Sequence, residues 1–310
     1  MRVIFMGTPD FAVDTLEQLV KHHEVLCVFT QPDKPKGRGN KMSFPPVKEC
    51  ALKYSLPVYQ PEKIRLGEWP STIKALNPDV VVVVAYGQLL SQEILEIPRL
   101  GCINVHASLL PKYRGAAPIN WAIVEGEAVT GVTTMQMAAG IDTGDMLLKR
   151  EVAIERKNAG VLTTELAAVG AELLIETLDK IDRNEIVPEV QDDSLSTYAR
   201  MLNKSLAQID WNESASKIEM KIRGFNPWPV AHTKYNEETL KIFSAEVIDE
   251  NDFKDASAGE IIKSDKRSIW IKTGEGVLSI IELQLGSNKR MTTQSFLLGN
   301  EVNLGMILGQ

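Results

Sequence analysis

Gly101 to Gly115 reads GCINVHASLLPKYRG. An apolar run carries Asn104 and His106 two residues apart and gives way at once to a loop containing Pro111 and Gly115. In a strand, residues i and i+2 face the same side. The amide and the imidazole are therefore predicted to project together at the strand's carboxyl end, where open α/β sheets place their ligand sites. A third polar group, Asp142, follows an apolar segment in MQMAAGIDTGDM, Met135 to Met146. An amide donor, an imidazole and a carboxylate meeting at one point can polarise a carbonyl and move a proton. An Asn-x-His pair alone is common; the adjoining loop and the downstream aspartate in matching context make it a candidate site.

Working outward, RVIFMGT reads as a buried first strand, with Thr8 and Pro9 predicted to cap and open a helix over Asp10 to Lys21. EVLCVFT is a second strand, and a helix is predicted near Pro46 to Lys53. Val80 to Ala85 is β-branched and flanked by Asn77-Pro78-Asp79, which suits a central parallel strand buried on both faces. Ser91 to Ile97 and Ile119 to Glu125 read as short helices around the Asn-x-His strand. GVTTMQM and DMLLKREVAI alternate like antiparallel strands with the Asp142 turn between them, and an amphipathic helix covers Ala159 to Ile181. This alternation predicts an α/β, Rossmann-like, doubly wound and mostly parallel sheet. Its first turn is Gly7-Thr8-Pro9-Asp10 rather than G-x-G-x-x-G, which argues against a dinucleotide cofactor and a nicotinamide oxidoreductase. Periodicity weakens from Pro188 to Ser205, read as a polar connector. Beyond Ile209 come short β-rich runs (HTKY, LKIFSAEVI, SIWIKT, VLSIIELQL) that suggest a small barrel or sandwich. The division expected is 1–187, a linker at 188–205, and 206–310.

The chain has 310 residues, 24% charged and 44% hydrophobic, ordinary for a globular protein with room for two domains. Cys27, Cys50 and Cys102 are odd in number and lack zinc-site spacing, so buried thiols in a reducing cytosol are expected. The longest apolar run is too short to span a membrane, and the amino terminus reads as a strand and turn rather than a signal peptide. A net charge of −7 argues against generic nucleic-acid binding. Locally the sign reverses: from Gln31 to Lys48 stand Lys34, Lys36, Arg38, Lys41 and Lys48 against Asp33 alone. This long loop, with Arg38 between Gly37 and Gly39, is either a solvated charged loop or a contact for a polyanion. In the C-terminal part a basic face would have to be made by folding, from residues such as Lys217, Lys221, Arg223, Lys289 and Arg290.

The Asn-x-His pair, the SLLPKYRG loop and the aspartate of GIDTGD, in that order, resemble the folate-dependent formyltransferases. The resemblance runs almost end to end: MRVIFMGTPDFA opens the chain, VFTQPDKPKGRG follows the second strand, and FNPWP lies in the last third. It implies the formyltransferase fold with a smaller C-terminal OB-like β-barrel, 10-formyltetrahydrofolate as co-substrate, no metal, and Asn104, His106 and Asp142 as the catalytic set. Asn104 and His106 would stabilise the oxyanion, and Asp142 would favour the imidazolium and relay the amine's proton.

The resemblance further assigns folate contacts to Ser108, Leu109, Leu110 and Pro111. The neighbouring Tyr86, Gly87, Gln88, Leu89 and Leu90 are placed in the same pocket. An ordinary strand-to-helix connection would look the same in either place. The core motif is shared by members acting on glycinamide ribonucleotide and on amino sugars. Lys36, Gly37, Arg38, Gly39 and Lys41, together with the C-terminal domain, point to members that formylate methionine on initiator methionyl-tRNA, with residues 206–310 binding the tRNA. An amino-sugar nucleotide is the alternative acceptor, and an idle tRNA-binding protein on the same scaffold would have lost the three polar residues. A cytoplasmic monomer is expected, without membrane association. Phe225 to Pro229 is read as a rigid aromatic anchor between barrel strands, and His22, His23 and His232 as incidental.

Overall fold

The computed structural model describes residues 1–36, 41–250, 253 and 255–309. The chain forms two compact units. The first comprises 1–118, 129–153 and 163–199; the second comprises 119–128, 154–162 and 200–310. The segment 188–199, read as connector, thus packs with the first unit.

The first unit is built on a seven-stranded sheet. Its strands are β1 (Arg2–Gly7), β2 (Glu24–Phe29), β5 (Val58–Tyr59), β6 (Val80–Val84), β7 (Cys102–His106), β9 (Val129–Gln136) and β10 (Met146–Ala153). Their order is β10-β9-β7-β6-β1-β2-β5. The five from β7 to β5 pair in parallel, while β9 is antiparallel to both β7 and β10. Two small pairs complete the unit: β3 (Lys34–Lys36) with β4 (Lys41–Ser43), and β8 (Arg114–Gly115) with β11 (Tyr198–Ala199). Val80 to Val84 is buried throughout, as a strand covered on both faces must be, and each valine withdrawn from water contributes about 1.5–3 kcal/mol.

The helices are α1 (Val13–His22), α2 (Pro46–Lys53), α3 (Trp69–Leu76), α4 (Gln92–Glu96) and α6 (Ala159–Asp182). The start of α1 differs from expectation. Asp10–Ala12 forms a 3₁₀ turn without a side-chain cap. The Thr8 hydroxyl instead donates to the Tyr86 carbonyl at 3.0 Å, a partner remote in sequence that outcompetes the local cap. Helix α3, which no periodic pattern announced, ends on Asn77 in the left-handed region (φ 48°). On α6, Gly170 lets the helix approach the sheet: a Cβ there would stand 2.9 Å from Val105 Cγ1. Val105 therefore faces α6, and its neighbours Asn104 and His106 face the other side of the sheet.

The second unit contains α5 (Pro118–Val124), α7 (Ala215–Gly224) and α8 (Thr293–Leu297) around an antiparallel half-barrel. Its strands are β12 (His232–Tyr235), β13 (Glu238–Ile248), β14 (Ile261–Ser264), β15 (Ile269–Lys272), β16 (Val277–Leu285) and β17 (Met291–Thr292). The ladder runs β12-β13-β16-β15-β14, with β17 on β16. Its core gathers Ile218 and Ile222 of α7 with Ile242, Ile271, Leu278, Ile280 and Leu283 of the sheet. Phe225 ends α7 and meets Trp121 edge-on at a centroid distance of 6.3 Å, so the FNPWP turn anchors helices as much as strands. The Asn226 amide donates to the Phe243 carbonyl at 2.8 Å. Among the described residues, no helix is long and apolar enough to cross a membrane.

Candidate active site

Chain order and strand order part company at β1 and β6. The chain passes β1-β2-β5 to one side and returns to place β6 and β7 on the other. Such a switch point opens a crevice at the carboxyl ends of the strands. Asn104 and His106 lie on β7 beside it, with the His106 side chain only 6% exposed.

Asp142 arrives by a less direct route. Strand β9 runs antiparallel to β7, with His106 opposite Thr133 and Ile103 opposite Gln136. The loop after Gln136 therefore leaves from the amino end of β7 and must fold back to reach the polar pair. It does so: Asp142 Oδ1 lies 3.5 Å from Asn104 Nδ2, and Oδ2 lies 3.6 Å from His106 Nδ1. The Gly115 amide donates to the same Oδ2 at 2.8 Å. Asp142 sits in the left-handed region (φ 51°), which an Asp tolerates better than most residues.

His106 Nε2 lies 2.9 Å from the Tyr113 carbonyl oxygen. A carbonyl only accepts, so Nε2 carries a proton and Nδ1 faces Asp142. Tyr113 is itself left-handed (φ 60°), and its amide is held by Thr197 Oγ1 at 2.8 Å. A cost of roughly 1–2 kcal/mol for that backbone must be offset by these contacts.

The loop after β7 is tied internally. Ser108 is fully buried and its hydroxyl donates to the Lys112 carbonyl at 2.6 Å. Thr133 Oγ1 donates to the Ser108 carbonyl and accepts from the Leu110 amide. Leu110 is buried against Met135 and Met146, and Leu109 lies by Gly131 of β9, so the two leucines pack largely onto the protein itself. The peptide bond between Leu110 and Pro111 is cis.

In the loop after β6, Tyr86 is buried in the sheet core with Ile4, Met6 and Phe29, and burial raises its phenol pKa. Its carbonyl accepts from Thr8 and from Gln31 Nε2. Gln88 is turned onto the Ile64 amide and the Pro61 carbonyl, and Leu90 packs on the core. What this loop offers outward is the backbone at Gly87 (φ 82°) and Leu89, 63% exposed.

Gly37, Arg38 and Gly39 lie outside the described residues, as do the side chains of Lys36 and Lys41. The base of their hairpin is firmly built. Lys48 Nζ contacts both oxygens of Asp33 at 2.7 and 2.9 Å and Gln60 Oε1 at 2.7 Å, and lies 3.9 Å over the Phe44 ring. Hydrogen bonds from Gln60 and Lys48 hold the Asp33 carboxyl below the usual carboxylate range. In the half-barrel unit, several cations proposed to make a basic face are already paired. Lys217 and Lys221 meet Glu213, Arg223 meets Glu219, and Arg290 meets Glu282.

Thr133 and Gln191, near the site, carried no sequence signal, and Arg114 was legible only as a member of the SLLPKYRG loop, without a role. Their roles depend on partners 23 to 79 positions away in the chain. The three cysteines are free and buried; burial pushes the Cys27 and Cys102 thiols up to about 12.

The doubly wound sheet and the half-barrel unit are each matched by a formyl transferase family. The family described as Formyl transferase matches residues 1–178, and Formyl transferase, C-terminal domain, matches 201–301. The chain is 52% identical to the methionyl-tRNA formyltransferase of Alkaliphilus metalliredigens, covering 100% of this chain and 99% of that one. It is 51% identical to that of Clostridioides difficile, covering 100% of each. Among solved structures, an N-formyltransferase from Helicobacter canadensis, in complex with folinic acid and dTDP-3-aminofucose, shares the fold. Its TM-score is 0.69 at 19% identity, over 91% of this chain and 99% of that one. The chain belongs to the formyl transferase family, among the methionyl-tRNA formyltransferases.

Proposed function

We propose that the protein transfers the formyl group of 10-formyltetrahydrofolate to the amino group of methionine on initiator methionyl-tRNA. The observation that carries this reading is the convergence of Asn104 Nδ2 and His106 Nδ1 on the two oxygens of Asp142, within 3.6 Å. The donor set suits a carbonyl that gains negative charge, and Leu89 and Ile141, 63% and 50% exposed, offer apolar surface for a flat ring. When bound, the folate supplies an electrophilic formyl carbon. Asn104 directs an amide N–H at the formyl oxygen, and its 3.5 Å separation from Asp142 leaves that group only weakly engaged. His106, anchored through Nε2, presents Nδ1 to the same oxygen and exchanges its proton there. Asp142 takes the proton that the attacking amine loses, directly or through water; as the oxyanion collapses to the new amide carbonyl, the bond from the formyl carbon to the folate nitrogen breaks and that nitrogen leaves with a proton. Ser108 to Pro111 and the backbone of 86–90, with Leu89, frame the folate.

The acceptor is assigned through Lys36, Gly37, Arg38, Gly39 and Lys41. Asp33 is neutralised by Lys48. Lys34, Lys36, Arg38 and Lys41 then face no acid within the segment 31–48. Such a cluster in an otherwise acidic protein suits a phosphate backbone. We assign catalysis to the first unit, 1–118, 129–153 and 163–199, rather than to 1–187 with 188–205 as a linker, and further tRNA contact to 206–310, in a monomer; a cytoplasmic location follows from an acceptor that is a charged tRNA. The test is formyl transfer from 10-formyltetrahydrofolate to charged initiator tRNA, with an amino-sugar nucleotide in parallel. Transfer to the tRNA supports the reading; transfer only to the sugar nucleotide overturns it.

A further inference from the structure

The return of the Asp142 loop over β7 needs a restraint, because its strand delivers it to the wrong end. Gln191 supplies one. Its side chain is buried, and Nε2 donates to two carbonyls of the turn, Asp142 O at 2.8 Å and Gly144 O at 2.7 Å. Its Oε1 accepts from Arg114 Nε at 3.0 Å, and Arg114 is held in turn by Asp193 at 2.8 Å. Both carbonyls and the guanidinium have fixed polarity, so the amide can sit only one way. Glutamine is suited to this place: a carboxylate would keep the arginine but face two carbonyl oxygens with negative charge. Gly144 marks how tightly the turn is folded, since a Cβ there would lie 1.7 Å from the Gln136 carbonyl oxygen.

We propose that Gln191 is a positioning residue that acts through Asp142. It clamps the backbone of the turn so that the carboxylate faces Asn104 and His106. The proposal rests on the catalytic role assigned to Asp142. Arg114 extends the clamp to the strand whose Gly115 amide binds the same carboxylate, so the turn is held at its backbone and at its side chain.

The experiment uses Gln191→Ala and Gln191→Glu in the full chain. Misplacing a reacting group by an ångström costs on the order of 10²-fold, so kcat should fall about 10-fold or more, with KM for folate and tRNA within about 2-fold. In an Asp142→Asn background the same substitutions should cost less than about 2-fold, because the group they position is already disabled. An equal loss in both backgrounds overturns the proposal. Hydrogen exchange of the Gly115 amide gives a readout independent of turnover. It should quicken about 10-fold or more in both variants while the Val83 amide in the sheet is unchanged. Unaltered Gly115 protection overturns the clamp. If the wild-type protein formylated nothing, the proposed function would fall, and the exchange measurement would still decide on the clamp.

Discussion

His106 Nε2 and the Tyr113 carbonyl stand 2.9 Å apart, and this bond decides which imidazole nitrogen faces Asp142. It fixes the ring, commits one N–H, and leaves proton exchange to Nδ1.

The first prediction concerns the two donors. If Asn104 and His106 face the formyl oxygen as proposed, His106→Ala and Asn104→Ala should each lower kcat by about 10² or more. Substrate affinity should change much less. Steady-state formylation kinetics provide the check, and near-normal turnover in both variants would move the site elsewhere.

Asp142→Asn preserves the shape of the side chain, and asparagine accepts the left-handed backbone (φ 51°) as readily as aspartate. The turn should therefore keep its fold while losing the charge and the proton acceptor. We expect kcat to fall by about 10² or more, the range of a lost general base, with an unchanged melting temperature. Full activity would show that the carboxylate is dispensable.

Gly115→Ala should damage both stability and catalysis. The residue has φ 109°, and a Cβ would stand 2.8 Å from the Ala199 carbonyl and 2.7 Å from the Tyr198 ring. Relief requires moving the amide that binds Asp142. Destabilisation of about 1–3 kcal/mol is expected from strain at such a position. Denaturant unfolding measures it; a loss of activity without any loss of stability would contradict the steric reading.

Arg38→Ala should weaken use of charged tRNA and leave folate saturation intact. If Arg38 binds a phosphate, the log–log salt slope of tRNA binding should fall by roughly one unit or less. If it reads a base, the loss should depend on acceptor-end sequence and the slope should barely move. Formylation rate against tRNA concentration at several salt levels separates the two, and wild-type kinetics would remove the loop from the interface.

Acid should release the base of the basic hairpin. The Asp33 carboxyl titrates below its ordinary value because Gln60 and Lys48 bind its ionised form. A depressed pKa means that the stabilisation is complete above the unfolded value, near 4, and disappears as pH falls through the lower folded value. Asp33→Asn should thus melt below the wild type at neutral pH, and the gap should close under about pH 4. A gap of constant size across that range would mean that the ion pair contributes nothing.

The central strands of the first sheet could be read from residues alone because burial on both faces demands unbroken apolar runs, as at Val80 to Val84, whereas the two-residue edge strand β5 carried no such run and was not read. The pairing of Asn104 with His106 was equally legible, since a period of two is a property of the strand itself. Local grammar failed where a distant group made the better offer. Thr8 had the position of a cap, but the Tyr86 carbonyl took its hydroxyl. At Lys221 and Arg223 the partners were near instead: Glu213 and Glu219, eight and four residues earlier, pair with them.

Residue types and spacing by themselves pointed to an open α/β sheet and set Asn104 and His106 on one face of β7 at its carboxyl end, with Asp142 as a candidate third group. Only the tertiary structure decided that Asp142 can reach the other two. Its loop departs from the far end of the strand, and the hydrogen bonds that bring it back come from Gly115 and Gln191, 27 and 49 residues away in sequence. Short-range periodicity records which face a side chain takes; it holds no record of which remote backbone carbonyl a buried glutamine will satisfy, because that choice is made by packing the whole unit.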